Sequence, residues 1–215
     1  MKQVLRSTGA VIVTLLLSSI PAGAQLTGSL HTARPLDQKT TDVGGYFGLF
    51  DGKGKAGTAI AVFGQVRYGL FASGDGGLKF GLVDLDTGKD DVGIVLAADL
   101  QWALLAPHWG NQFWLSVGPE ITLYDAAGVR VWGFAGNVHV SHDTNLRGKR
   151  VSPYGRLTIR LESVDHDNPK RKGTTELEIG LNPGVVWQAS DLLDFVVELQ
   201  FDDYFGLFAG LNFRI

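Results

Sequence analysis

The feature that most constrains this chain is a two-residue alternation that continues to its last residue. Reading back from the end by twos gives Ile215, Phe213, Leu211, Ala209, Leu207 and Phe205, an apolar set. The residues between are Arg214, Asn212, Gly210, Phe208, Gly206 and Tyr204. Successive side chains of a strand point to opposite faces, so this pattern folds as a strand with one apolar face. The same rhythm recurs in ten stretches, roughly 41–50, 58–71, 77–83, 91–104, 112–124, 130–141, 150–162, 174–188, 193–202 and 204–215. Turn-rich connections such as "DGKGKAG", "ASGDGG", "HDTNLRGK" and "DHDNPKRKG" separate them. With 29 glycines and no long amphipathic pattern, the chain reads as all-β. In the third stretch Asp84 falls on the apolar side, which predicts a short or bulged strand.

Periodicity alone leaves open which face is inside. Tyr68, Trp102, Phe113, Trp132, Trp187, Phe195 and Phe213 gather near the ends of the apolar faces, as in an interfacial aromatic belt. The strand lengths suit a tilted bilayer crossing. A terminal strand is also safest when it closes a ring against the first. The expectation is a transmembrane antiparallel up-and-down β-barrel of about ten strands, with eight the alternative count.

The N-terminus predicts a cleaved signal peptide over residues 1–24. Lys2 and Arg6 precede the apolar run "GAVIVTLLLSSI", and Ala22-Gly23-Ala24 forms a small-residue cleavage site. Residues 25–40 lack periodicity and form an extended lead-in to a barrel over 41–215. The chain has no cysteine, which excludes a disulfide framework and a lipid-modified cysteine anchor. Without Lys2 and Arg6, the 19 basic residues fall to 17 against 22 acidic. There is no nucleic-acid footprint.

In this architecture, and in its ending "GLNFRI", the chain resembles the small outer-membrane β-barrel proteins of Gram-negative-type bacteria. The resemblance implies integral outer-membrane localisation and contact with outer-membrane lipids and lipopolysaccharide. It implies both barrel ends of the chain in the periplasm. It also implies recognition of the last strand by barrel-assembly machinery, although that signal usually finishes in Phe and this chain finishes in Ile215.

The sharpest catalytic pattern is His139-x-Ser141, a base and a nucleophile on one strand face. It resembles the His-x-Ser-Asn core of outer-membrane lipid A deacylases and phospholipases, with His142 in place of the Asn. The alternation turns both residues inward, away from lipid. "DGKGKAG" leads into a strand and not a helix, so it is no dinucleotide loop. The Asp84, Asp86, Asp90, Asp91 group and the Asp165–Asn168 stretch lack calcium-loop spacing. No metal or cofactor is expected.

The inward charges are more informative. Arg67, Lys79, Asp99, Glu120, Arg156, Arg160, Glu178 and Glu198 form a candidate lumen network. Such charges must pair or stay hydrated. Counting back from the hairpin centre places Arg160 opposite Glu178. Asp42 and Arg214 are the expected closure pair. The functional expectation is a non-enzymatic barrel with a structural or envelope-interaction role. A narrow porin-like channel is the first alternative, and a hydrolase using His139 and Ser141 the second.

Overall fold

A computed structural model of the chain describes residues 28–52, 58–85, 92–107, 112–126, 129–166, 173–202 and 204–215. The expected signal peptide, much of "DGKGKAG", Asp86, Asp90, Asp91, Asp167 and Asn168 lie outside these residues. The strands are β1 (Thr41–Gly52), β2 (Thr58–Phe71), β3 (Gly74–Leu85), β4 (Val92–Leu105), β5 (Phe113–Ala126) and β6 (Val129–His142). They continue as β7 (Thr144–Leu146), β8 (Lys149–His166), β9 (Thr174–Gln188), β10 (Leu193–Phe201) and β11 (Tyr204–Arg214).

Each long strand pairs antiparallel with its sequence neighbour, and β6 pairs with β8. β1 and β11 close the ring in an unbroken register from Asp42↔Arg214 to Gly52↔Tyr204. The result is a closed ten-strand barrel, with β7 attached to the start of β8. The short β7 lies within "HDTNLRGK", where a plain connection is expected. Arg147 and Gly148, both with positive φ (53° and 79°), make the two-residue turn that lets Thr144–Leu146 pair back on 149–151.

β3 is neither short nor bulged at Asp84. It pairs without a slip up to Leu85, and Asp84 stands on the outer face opposite Ile60 and Val92. The register shifts lie elsewhere, at Gly69/Phe71 and Ala103/Leu105. β3 also begins earlier than expected, because Gly74–Gly77 reads as a turn and is strand. Space explains this glycine run: a Cβ on Gly77 would stand 2.6 Å from Arg67 Nη1 and 2.9 Å from Asp99 Oδ1.

The apolar set faces outward. Val62, Leu78, Leu96, Phe134, Ile159, Ile179 and Val197 are all exposed on the outer wall, while their sequence neighbours are buried. Trp102, Trp132, Trp187 and Tyr68 lie towards strand ends, as expected, but Phe47 and Phe80 sit at mid-strand. Phe has no polar group to keep near the headgroups, so depth sorts Trp and Tyr more strictly. Inside, Tyr46, Phe63, Tyr154 and Phe208 lie over Gly210, Gly81, Gly184 and Gly48, where a Cβ would meet the ring at 2.7 Å or less.

The interior has one occupant that is not part of the wall. Residues 28–40 form no strand and run inside the barrel towards the end where β1 begins, here called the near end. Leu30 and Ala33 are fully buried there. Lys39, with φ 67°, then turns the chain into β1, and its N–H donates to Gly69 O at 2.9 Å. Eight-stranded barrels fill with side chains alone, and a ten-stranded one is slightly wider. The extra room holds this segment.

Candidate functional site: the occupied lumen

A backbone inside a barrel carries N–H and C=O groups that need partners. With no neighbouring strand to pair with, the segment finds them among side chains of the wall. Ser29 N–H donates to Glu198 Oε1 at 2.7 Å and Leu30 N–H to Glu198 Oε2 at 2.8 Å. Lys79 Nζ donates to Gly28 O at 2.6 Å. Gln101 Nε2 donates to Thr32 O at 3.1 Å, and Asn212 Nδ2 to Leu30 O at 3.4 Å. Ala33 N–H donates to Ser141 Oγ at 3.2 Å and Leu36 N–H to Asp75 Oδ2 at 2.7 Å. Seven main-chain groups are thus met by six wall residues from β3, β4, β6, β10 and β11.

Glu198 is the centre of this arrangement. It is fully buried, and besides the two segment amides it accepts from Tyr154 Oη at 2.6 Å and Asn182 Nδ2 at 2.9 Å. A buried carboxylate without a guanidinium beside it needs such a set of donors. Two consecutive N–H groups reach one carboxylate because the backbone is left-handed at Gly28 (φ 46°) and Leu30 (φ 61°). Adjacent amides converging in this way form an anion-binding nest. Leu30 itself joins the buried cluster that contains Tyr46, Tyr154, Val186 and Val196.

The predicted lumen residues fall into three groups. At the near end, Arg67 grips Asp99 (Nη1–Oδ2 2.7 Å) and also Asp75, all three buried. In the middle, Arg156 Nη1 donates to Glu120 Oε2 at 2.7 Å, and Glu120 also accepts from Asn137 Nδ2 at 3.1 Å. Thr158 Oγ1 donates to Asn137 Oδ1 at 2.8 Å. At the far end, Arg160 lies opposite Glu178 and pairs with Glu178 and Glu162, with Asp202 4.0 Å away. Lys79 and Glu198 belong to the segment's site and not to these ion pairs. Asp42 and Arg214 meet at the near rim, Nε to Oδ1 3.1 Å.

His139 and Ser141 face the lumen on β6. Each meets the segment: His139 Nδ1 lies 3.4 Å from Ser29 Oγ and its ring stacks on His31 at 4.9 Å, while Ser141 Oγ accepts from Ala33. Sequence reading missed Asp75, Gln101, Asn182 and Asn212. One signal for the occupied lumen was available. Glu198 has no obvious cation opposite it, while the stretch 25–33 carries no charged residue.

No protein-family model matches the chain, and no curated protein matches it. Among solved structures, the β domain of the Bordetella autotransporter Brka aligns with TM-score 0.55 at 12% identity, covering 83% of this chain and 100% of that one. An outer membrane channel from Pseudomonas putida F1 aligns with TM-score 0.52 at 11% identity, covering 92% of this chain and 100% of that one. At these identities the likeness concerns the fold alone. The chain has the fold of the small outer-membrane β-barrels.

Proposed function

We propose that this is a non-enzymatic barrel of the bacterial outer membrane, closed to solutes, with a structural or envelope-interaction role. The observation that carries the reading is the segment 28–36, held in the lumen by its own main chain. Beyond it, the far half of the lumen is packed with buried Phe50, Phe63, Phe208, Arg160, Glu162 and Glu178. The near end faces the periplasm, the outer wall contacts lipid and lipopolysaccharide, and β11 presents the strand read by the assembly machinery.

The lumen position of His139 and Ser141 supports a non-catalytic role. Each is engaged with the segment, away from the outer wall where a lipid ester would lie. Ser141→Ala is therefore expected to leave lipid turnover unchanged, and a drop would revive the hydrolase reading. The main test is electrical. Purified protein in a planar bilayer should show no stepwise conductance, and a steady, large, weakly selective conductance would make it a porin-like channel instead.

A further inference from the structure

We propose that the near half of the lumen is a peptide-binding cup. Residues 28–36 occupy it as an exchangeable intramolecular ligand, and an extended peptide of similar pattern can take their place. The inference rests on the sealed-barrel reading and names the partner chemistry of the same site.

Three observations carry it. The wall reads main chain: seven backbone groups of the segment meet wall side chains, which is how a peptide is held through its backbone as well as its side chains. None of these contacts is a strand pairing, so the segment can withdraw without opening the ring. On withdrawal it would leave Glu198, Asp75 and Lys79 facing an emptied near half, charges that water can hydrate. Finally, the far half is packed with side chains fixed on strands, so the emptied space is a cup open to one side and not a pore.

The cup also selects. Gly28 has φ 46°, and a Cβ there would stand 2.9 Å from Glu198 Oε1, so this position favours glycine. Leu30 enters the apolar cluster, Ala33 is fully buried beside Ser141, and Pro35 is buried nearer the mouth. Ser29 is fully buried too, its Oγ 3.4 Å from His139 Nδ1, whereas the side chains at 32, 34 and 36 are only partly buried. The pattern the cup accepts is Gly-Ser-Leu-x-x-Ala-x-Pro, entering from the end that carries the start of β1 and the end of β11. A small cavity of about 60 Å³ lies beside the segment at this mouth, lined in part by Arg34, Asp143, Arg150 and Asp194.

The test uses the full chain, whose lack of cysteine makes thiol chemistry clean. Ala33→Cys with Ser141→Cys, or Ser29→Cys with His139→Cys, locks the segment in place under oxidising conditions. A fluorescent acetylated peptide GSLHTARPLDQ, residues 28–38, is then offered to protein in detergent. Binding is expected to the reduced protein and not to the oxidised one. The same peptide with Gly28→Val should bind about tenfold more weakly or worse, since β-branched residues resist the left-handed region. In the single variant Ala33→Cys, excess peptide should speed maleimide labelling of the displaced segment. Equal binding to locked and reduced protein would overturn the inference, as would equal binding of the Gly28→Val peptide. So would maleimide labelling of the Ala33→Cys variant that peptide does not accelerate. Because a cup does not conduct, these failures in an electrically silent protein would leave the sealed-barrel reading intact. Bilayer conductance of the wild type would remove that reading on its own.

Discussion

At the far end of the lumen Arg160 stands among Glu162, Glu178 and Asp202, and Phe50 packs edge-on against Phe208 at 4.9 Å between centroids. Every one of these groups is carried by a strand or the turn beside it. From the near end to the middle of the lumen, Asp75, Lys79, Ser141 and Glu198 face a segment that pairs with no strand. Both halves are buried and polar, yet they differ in what must move to open them. The far contacts are lost only if the ring itself distorts. The near contacts are lost if a short stretch of chain swings about Lys39 and Thr40, with every strand pair intact. Stability of the barrel and occupancy of its lumen are therefore separable quantities.

The largest effect should come from the far half. Arg160→Ala removes the guanidinium shared by three buried carboxylates, a change of about 3–5 kcal/mol by the usual cost of breaking a buried ion pair. It should lower the temperature at which unheated protein loses its compact gel mobility. Maleimide labelling in the Ala33→Cys background should stay slow. If Arg160→Ala accelerated that labelling, the two halves would be coupled and the comparison would fail.

Leu30→Ala acts on the other side of the comparison. It leaves a cavity inside the lumen and should weaken the hold on the segment by about 2–3 kcal/mol. In the same Ala33→Cys background, faster labelling with nearly unchanged gel stability is the expected result. A fall in gel stability as large as that of Arg160→Ala would show that the segment is a structural part of the barrel.

Glu198→Gln is subtler. The shape is retained, but one of the two oxygens that accept from Ser29 and Leu30 becomes an NH₂ group facing a donor. About 1–3 kcal/mol of holding energy should go, read again as faster labelling of the thiol at position 33, and an unchanged rate would mean that this carboxylate does not hold the segment. Glu198→Ala is a poorer choice, because it also empties space around Tyr154 and Asn182.

Much of the fold was legible in the alternation itself. Val197 and Leu199 on one face of β10, with Glu198 and Gln200 on the other, leave little freedom once the ring is assumed. The pairing of Arg160 with Glu178 needed only a hairpin and a count. What the alternation could not reach was the stretch with no period. Residues 28–40 gain their order from side chains on five different strands, each far away in sequence, and nothing local in "GSLHTARPLDQKT" encodes that. The run Gly74–Gly77 misled for a related reason. Glycine there makes room for Arg67 and Asp99 on adjacent strands, and in isolation it looks like a turn. The lumen was correspondingly read as side chains satisfying one another, whereas Lys79 and Glu198 were waiting for a backbone.

The smallest effect is expected where sequence reasoning pointed most directly. Asp42 and Arg214 join the first and last strands at the near rim, which makes the pair look like a clasp on the ring. Arg214 is nevertheless about a third exposed, and its second carboxylate neighbour, Asp194, is 3.9 Å away. Ion pairs with this much water around them contribute about 0–1 kcal/mol and are screened by salt. Closure is carried instead by the eleven-residue register between β1 and β11, whose backbone bonds and outward apolar pairs such as Val43 with Phe213 do not depend on the clasp. Arg214→Ala should therefore shift gel stability by less than the error of most comparisons with Arg160→Ala, and the residual difference should shrink in high salt. A loss as large as the far-half variant would mean that the ring is held at its seam by charge, and that the near end is not the loosely fastened half after all.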